Sequence, residues 1–360
     1  MEETVDAVLG HDRVLAVGGR TKPALSDDEA CELISTAGLT GIVEYEPSEF
    51  TFTAKAGTPI AEIDGMLREK NQSLPFDSIL AAQGATLGGT VAAGVSGPGR
   101  FRYGGVRDFV LGVQLVTGDG RVVRGGGKVV KNAAGFDIPK LMVGSLGRLG
   151  IMTELTLKVF PQPKASVTLV IRSPSHQEAI RQVRQAARSR WEAGAIDYLP
   201  DELAVYIRLV GPTSALDGLA GEVSQKHSAL RLDPETADSF WKSFLSWQCW
   251  QACPCVARVP LTSQKFLEVI PELQQLGVRT HLSGGGSLLW LGCDGSTLSQ
   301  CQRLLDNQGL TGLLLRHDGA QPFGNAGLVG KSLAQELGRR LQEVFDPEGR
   351  FPSLLSRSCQ

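Results

Sequence analysis

Residues 84–94 read GATLGGTVAAG, a run of small and aliphatic side chains around the adjacent glycines Gly88 and Gly89. Such side chains leave the main chain uncovered, so successive backbone N–H groups of this bend can converge on an anion. A tight turn without a ligand explains the same pattern equally well. The run therefore marks either a binding bend or a place where two backbones pack closely.

The run opens the glycine-rich part of the chain. Residues 84–150 hold 18 of the 43 glycines, where even spacing over 360 residues gives about 8. Valine, leucine and isoleucine interrupt these glycines, so the region is not of low complexity. We expect the glycines at turns with positive φ or where a ligand comes close to the backbone.

A second glycine bend lies near the start of the sequence, in Val17-Gly18-Gly19-Arg20-Thr21-Lys22. Residues 14–22 fit a short strand that enters this bend. The bend adds two cations and a hydroxyl group to its uncovered backbone. Two bends of this kind in one domain suit the two phosphates of a pyrophosphate group.

The rest of the sequence predicts alternating short strands and helices, with no repeat of fixed period. In the first half we expect helices over 27–37 and 60–70, strands over 50–56 and 151–160, and a hairpin of 109–117 with 121–124. In the second half we expect strands over 166–172, 203–210, 255–260, 278–282, 287–292 and 312–317, and helices over 175–191, 214–227, 234–247, 262–276, 296–307 and 330–345.

Composition excludes several classes of protein. The formal charge is -2, from 36 Lys and Arg against 38 Asp and Glu. The sequence therefore has no excess of basic residues that would indicate binding to nucleic acid. No apolar run reaches the roughly 18 residues that span a membrane, and an acidic start at Glu2 and Glu3 is unlike a signal peptide. Seven scattered cysteines favour reduced thiols. We therefore expect a cytoplasmic protein of two or three domains.

Familiar nucleotide and catalytic motifs are missing from the sequence. No G-x-G-x-x-G follows a strand, residues 125–128 lack the other residues of a P-loop, and no G-x-S-x-G occurs. The five histidines are far apart, so no metal site is expected. Cys249, Cys253 and Cys255 are one thiolate short of a four-cysteine site, and buried thiols are the favoured interpretation.

Residues 76–160 resemble the FAD-binding domain of the vanillyl-alcohol-oxidase superfamily, which has the PCMH-type fold. The matching segments are ATLGGTVAAG, SGPGRFRYGGVRDFVLGVQLVTGDGRVV and GGKVVKNAAGFDIPKLMVGSLGRLGIMTELTLKV. LPFDS at 74–78, VVKNAAGFD at 129–137 and FDPEGRFPS at 345–353 are most similar to flavoprotein subunits of bacterial glycolate oxidases.

This resemblance implies an α+β protein in three parts. A PCMH-type FAD-binding domain of two α/β subdomains would occupy residues 1–163. An α+β cap (substrate) domain with an antiparallel sheet would occupy residues 164–325. The segment 326–360 would return to the FAD domain.

The resemblance also implies FAD as the cofactor and assigns residues to it. Gly18, Gly19, Arg20, Thr21 and Lys22 would hold the pyrophosphate from one side, and Thr86, Leu87, Gly88 and Gly89 from the other. The flavin and ribityl region would be lined by Ser96, Gly97, Arg100, Tyr103 and Gly104. Asn132 and Gly135 would form a turn beneath the cofactor, and Gly150 and Ile151 would contact its adenine half. Arg107 and Asp108 fit an internal ion pair.

Departures from the family are informative. No His or Cys lies at 17–23, so FAD is expected to be non-covalent. Related dehydrogenases carry an H-x-G-D-G-N-x-H segment, of which only Arg316-His317-Asp318-Gly319 is an echo. Oxidation of a hydroxy acid needs a cation for the carboxylate and a base for the hydroxyl. Arg258 and His317 are the catalytic candidates, with a surface arginine and a structural histidine as the alternative.

The resemblance implies a subunit of a glycolate (2-hydroxy acid) oxidase complex, with a sister flavoprotein subunit and an iron–sulfur subunit as partners. Two alternatives stay open: a free-standing FAD-dependent 2-hydroxy-acid or alcohol dehydrogenase, and a low-turnover flavin-binding scaffold. In the complex, the partner subunits would hold this chain peripherally at the inner face of a membrane. Trp241, Trp247 and Trp250 fit a partner surface or, as we favour, the core.

Overall fold

The computed structural model describes residues 1–26, 30–127, 136–317, 319, 327–331 and 335–353. The first half contains, in chain order, α1 (Glu2–Leu9), β1 (Val14–Val17), β2 (Glu32–Ser35), β3 (Ile42–Glu46), β4 (Thr51–Lys55), α2 (Ile60–Glu69), β5 (Gln72–Ser73), α3 (Leu87–Ala93), α4 (Arg100–Tyr103), β6 (Val110–Val116), β7 (Val122–Gly126), α5 (Ile138–Met142), β8 (Ile151–Lys158) and β9 (Phe160–Pro161).

The second half contains β10 (Ala165–Arg172), α6 (His176–Ala187), β11 (Ala193–Leu199), β12 (Ala204–Gly211), α7 (Thr213–His227), β13 (Leu230–Arg231), α8 (Pro234–Leu245), β14 (Cys255–Pro260), α9 (Ser263–Gln275), β15 (Arg279–Ser283), β16 (Leu288–Cys293), α10 (Gly295–Asn307), β17 (Thr311–Arg316), β18 (Leu328–Gly330) and α11 (Gln335–Phe345). None of the helices in the described part of the chain is long and apolar enough to cross a bilayer.

An antiparallel sheet in the order β3-β4-β8-β6-β7 organises the first half. β6 and β7 form the predicted hairpin, with Val116 opposite Val122. Helix α3 packs on β4 and β8, and Phe52, Ile63 and Leu155 lie in the shared core at no more than 1% exposure. The sheet therefore supplies a rigid floor for the bend that precedes α3.

Strands β1 and β2 form a separate parallel pair, with Val14 opposite Glu32 and Val17 opposite Ser35. The predicted helix over 27–37 is therefore wrong at Glu32–Ser35, because the backbone of this segment pairs with β1. Four residues are too few to distinguish a helical from a strand period. β1 ends at the first glycine bend and holds it beside the second.

The second half is an antiparallel sheet in the order β13-β10-β12-β11-β15-β16-β14-β17-β18. Helices α6, α7, α9 and α10 cover one face, where Ile207, Phe266 and Leu289 are fully buried. Strand β11, which no pattern predicted, lies near the middle of the sheet. Its sequence AGAIDYL is poor in strong strand formers, and burial between two neighbouring strands holds it extended.

Two copies of one βαββαβ unit build this sheet. The first is β10-α6-β11-β12-α7-β13, the second is β14-α9-β15-β16-α10-β17, and the strand order within each copy is the same. They join through their second strands, β11 and β15, where Tyr198 pairs with Leu282. The repeat is one of architecture and not of sequence, so no periodicity revealed it.

Equivalent positions in the two copies carry different side chains. Val170 on β10 pairs with Tyr206 on the third strand of the first copy. Arg258 on β14 pairs in the same way with Trp290 on the third strand of the second copy. A buried valine in one copy thus corresponds to an arginine in the other.

The opposite face of the long sheet faces the first half of the chain. Phe244, Trp247 and Trp250 cover it and pack with Trp290 in a core that also contains Phe52. The interpretation of the tryptophan cluster as core is confirmed, since the exposures of Trp241, Trp247 and Trp250 are 6%, 5% and 1%.

The end of the described chain lies against its beginning. Val14 N donates to Arg350 O at 2.8 Å, and Gly118 N donates to Phe345 O at 2.9 Å. The ring of Phe351 is 2% exposed, in a small core with Val14. These contacts hold β1 in place, and with it the first glycine bend.

Candidate cofactor site

A crevice opens where the two glycine bends meet, between the end of β1 and the start of α3. Backbone and small side chains form most of its wall. The predicted cofactor residues that line it are Gly18, Gly19, Arg20, Thr21, Lys22, Thr86, Gly88, Gly89 and Gly150. Sequence reasoning missed other lining residues, namely Thr36, Leu146, Gly147 and Met152.

The two bends touch at one side of the crevice. A Cβ atom at Gly19 would lie 1.9 Å from Gly84 O, and one at Gly18 would lie 2.3 Å from Thr86 Oγ1. No side chain fits at such distances, so both positions require glycine. The bends are direct neighbours, and the crevice opens beside their contact.

The first bend presents unpaired backbone donors. The N–H groups of Gly18, Gly19, Arg20 and Thr21 donate to no acceptor among the described residues. Arg20 has a left-handed φ of 49°. Successive unpaired N–H groups around a left-handed residue form an anion-binding nest.

Lys22 adds a buried cation to this nest. Its side chain lines the crevice, the residue is 6% exposed, and Nζ donates to Thr21 Oγ1 at 3.3 Å. Burial, and then the charge of Arg258, lower the pKa of Lys22 to about 8. An anion in the crevice would favour the protonated lysine.

The second bend differs in its hydrogen bonding. Its amides donate inside the protein: Leu87 N to Thr58 O at 2.9 Å, Gly88 N to Ala56 O at 2.7 Å and Gly89 N to Thr86 Oγ1 at 3.2 Å. The expectation that this bend offers free N–H groups to an anion is therefore wrong for these three residues. Thr86 instead caps α3.

Close packing explains the glycines of the second bend. A Cβ at Gly88 would lie 2.9 Å from Ala56 Cβ and 3.0 Å from Ala56 O, on the side of β4. A Cβ at Gly89 would lie 3.0 Å from Thr86 Oγ1. The missing side chains let α3 approach β4, and the helix then forms a wall of the crevice.

The residues expected around the flavin do not line the crevice. Ser96, Gly97, Arg100, Tyr103 and Gly104 are packed elsewhere. Gly97 is confined, since a Cβ there would lie 2.7 Å from Asp77 O and 2.8 Å from Leu245 Cδ2. Ser96 Oγ accepts from Val106 N at 2.9 Å. The backbone donors and the buried lysine of the described crevice thus suit an anionic group such as a diphosphate.

Other predicted residues are also accounted for. Leu87 and Ile151 are fully buried in apolar clusters, and Asn132 and Gly135 lie outside the described residues. The expected ion pair of Arg107 with Asp108 is wrong. Asp108 Oδ2 accepts from Gly105 N at 2.9 Å, while the Arg107 guanidinium donates to Lys140 O.

The catalytic candidates do not form one site. Arg258 Nη2 donates to Ala93 O at 3.4 Å, and Ala93 lines the crevice. His317 follows Arg316, which pairs with Val256, whereas Arg258 is opposite Leu313 on the same strand, which separates the two by about 10 Å along the strand. Gly319 N donates to His317 Nδ1 at 3.3 Å. Arg258 lies instead against a backbone carbonyl of the crevice wall.

A buried carboxylate–imidazole pair that no motif suggested joins β11 to β15. His281 Nε2 lies 2.7 Å from Asp197 Oδ2, and Ser283 Oγ donates to Asp197 Oδ1 at 2.8 Å. His281 and Arg279 line a second cavity beside α8, so a cation and an imidazole share it. Asp197 and His281 are 84 positions apart, and only the junction of the two sheet units brings them together.

Comparisons with known proteins agree with this geometry. Residues 3–126 match a protein family described as FAD binding domain. The chain is 34% identical to the glycolate oxidase subunit GlcE of Escherichia coli K12, over 81% of this chain and 79% of that protein. It is 31% identical to a D-2-hydroxyglutarate dehydrogenase of Xanthomonas citri, over 49% of this chain and 37% of that protein.

A solved structure of an alkyldihydroxyacetonephosphate synthase has a similar fold. Its TM-score is 0.69, with 99% of this chain and 74% of that chain covered at 17% identity. The likeness extends over both halves of the chain, and at this identity it establishes the fold alone.

Proposed function

The chain belongs to the family of FAD-binding flavoproteins that includes the E. coli glycolate oxidase subunit, and from this premise we propose that it is the FAD-binding subunit of a complex that oxidises glycolate or a related 2-hydroxy acid. The two relatives described above are named for glycolate and D-2-hydroxyglutarate. Both are 2-hydroxy acids, which is the substrate class we assign.

The nest at residues 18–21 together with the buried Lys22 is the observation that carries this proposal. Unpaired backbone donors and a cation in one crevice fit an anion of the size of a diphosphate. Bound there, FAD supplies the hydride acceptor for the α-carbon of the hydroxy acid. The chain itself binds the diphosphate, and we expect no covalent link because residues 17–23 contain neither His nor Cys.

We assign three functional regions to the chain. Residues 1–163 would bind FAD, and residues 164–325 would form the cap. Residues 326–360 would return to the FAD domain and pack against it. Contacts of Arg350 and Phe351 with the β1 region support the last assignment. We propose that the partners of this chain in the complex are a sister flavoprotein subunit and an iron–sulfur subunit. These partners would hold the chain at the inner face of a membrane.

A scaffold with little turnover of its own is the second candidate function. The separation of Arg258 from His317, and the dense packing around Gly97, favour it.

Anaerobic absorbance spectroscopy of the purified chain tests these functions. We expect a yellow protein that releases its flavin on acid precipitation and whose flavin bands bleach on addition of glycolate in the complex. Bleaching of the isolated chain would favour the dehydrogenase, and bleaching only in the presence of partner subunits would favour the subunit role. A chain purified and titrated with FAD that binds none would overturn the proposal.

A further inference from the structure

Three cations from different parts of the chain lie near one another, and of the three only Lys22 lines the crevice. Lys22 belongs to the first bend, Arg258 to β14 and Arg100 to α4. The charge of Arg258 acts on Lys22, and that of Arg100 acts on Arg258. The group spans the boundary between the first half of the chain and the long sheet.

The fold explains how Arg258 reaches the crevice. The turn Pro23–Leu25, which follows the nest, packs on β17, and β14 is the neighbour of β17 in the sheet. Arg258 projects from the face opposite the sheet's helices and reaches Ala93 O at 3.4 Å. The same position in the first unit is Val170, so sheet architecture alone does not require an arginine here.

Two of these cations lack a counter-charge among the described residues. Neither Lys22 nor Arg258 forms an ion pair with a carboxylate there, and Arg258 Nε is buried without an acceptor. Arg208, by contrast, pairs with Asp77 at 2.5 Å. Lys22 is buried and Arg258 is half-buried, and charges withdrawn from water are costly unless they are paired and hydrogen-bonded. The unpaired cations therefore point to an anionic ligand.

We propose that Arg258 joins Lys22 and the nest in binding the cofactor's diphosphate, so that the FAD site is shared between the first half of the chain and the long sheet. The amides of residues 87–89 in the second bend are bonded within the protein, so they donate no hydrogen bond to this anion. The inference rests on the proposed cofactor role of the crevice and assigns Arg258 to binding in place of catalysis.

Calorimetric titration of cofactor-free Arg258→Gln with ADP, FAD and riboflavin tests the proposal. ADP carries the diphosphate without the flavin, and riboflavin carries the flavin without the phosphates. We expect the variant to bind ADP and FAD about 10- to 100-fold more weakly, as for the loss of one charge-assisted hydrogen bond, with riboflavin binding unchanged. Arg172→Gln, an exposed arginine on β10 of the same sheet, is the control and should bind all three as the wild type does.

Equal affinity of wild type and Arg258→Gln for ADP would overturn the shared site and leave the proposed function standing. A wild type that binds no FAD would overturn the proposed function itself. Circular dichroism of each variant reports folding. If Arg258→Gln does not fold, Lys22→Met provides the same three titrations, and unchanged ADP affinity in that variant would equally overturn the proposal.

Discussion

The two glycine bends look alike in the sequence and differ in the fold. In the bend at 18–21 the backbone donors have no acceptor among the described residues, and a buried lysine follows. In the bend at 86–89 the amides are bonded within the protein, and the glycines allow α3 to pack against β4. A glycine-rich motif reports that side chains are absent, and only the surrounding hydrogen bonds tell whether a ligand or a second backbone takes the space.

The largest effect that follows from this contrast is on folding, at the second bend. Gly88→Val should lower the free energy of unfolding by about 2–3 kcal/mol, because its side chain would be forced against Ala56. Urea denaturation of the cofactor-free protein measures this. Gly65→Val in α2 is the matched control, because outside the helix's own backbone no atom of the described residues lies within 4 Å of the new Cβ. Equal stability of Gly88→Val and wild type would remove the packing explanation.

At the first bend the effect should fall on binding instead. Lys22→Met should weaken ADP binding about tenfold or more through loss of a charged donor, without lowering the stability of the cofactor-free protein, since a buried charge is removed. Wild-type affinity should also decline as the pH rises above about 8, where Lys22 loses its proton. Titrations at pH 7 and pH 9 should show this decline in affinity for the wild type. For Lys22→Met the decline should be smaller, because the contribution of the lysine is missing.

The lowered pKa of Lys22 also determines the direction in which the stability of the protein changes with pH. Burial lowers it from 10.5 to about 8, so between these values the unfolded chain holds more protons than the folded chain. The contribution of Lys22 to the free energy of unfolding therefore increases with pH across this window in the cofactor-free protein. The free energy of unfolding of Lys22→Met should lack this increase with pH.

The smallest effect is expected at Thr86, which belongs to the second bend but touches the first. Thr86→Ala removes the cap of α3 and should cost about 1 kcal/mol of unfolding free energy. Thr86→Ser keeps the Oγ acceptor for Gly89 N and should lose much less. Denaturation curves of both variants decide the matter, and identical losses would mean that the threonine methyl, rather than the hydroxyl, stabilises the bend.

Local patterns in the sequence predicted much of the fold. The hairpin of β6 and β7 is predictable because its turn and its apolar strands are adjacent in sequence. Helix α2 has its expected position, after Pro59. β2 and β11 escaped prediction because distant strands stabilise them, and no residue within either segment records that pairing.

The site was predictable only where it is contiguous. Residues 18–22 line the crevice as expected, whereas the cation that β14 brings to it was assigned another role. The position of Arg258 depends on β17 lying beside the turn that follows the nest. The Asp197–His281 pair depends in the same way on the meeting of β11 with β15.

The doubled βαββαβ unit has a consequence for how the protein can change. Where one copy keeps Val170 inside the fold, the other places the Arg258 guanidinium against Ala93 O in the crevice wall. Because the fold of each unit accepts either side chain at this position, one copy can change its side chains for binding while the other keeps an apolar core.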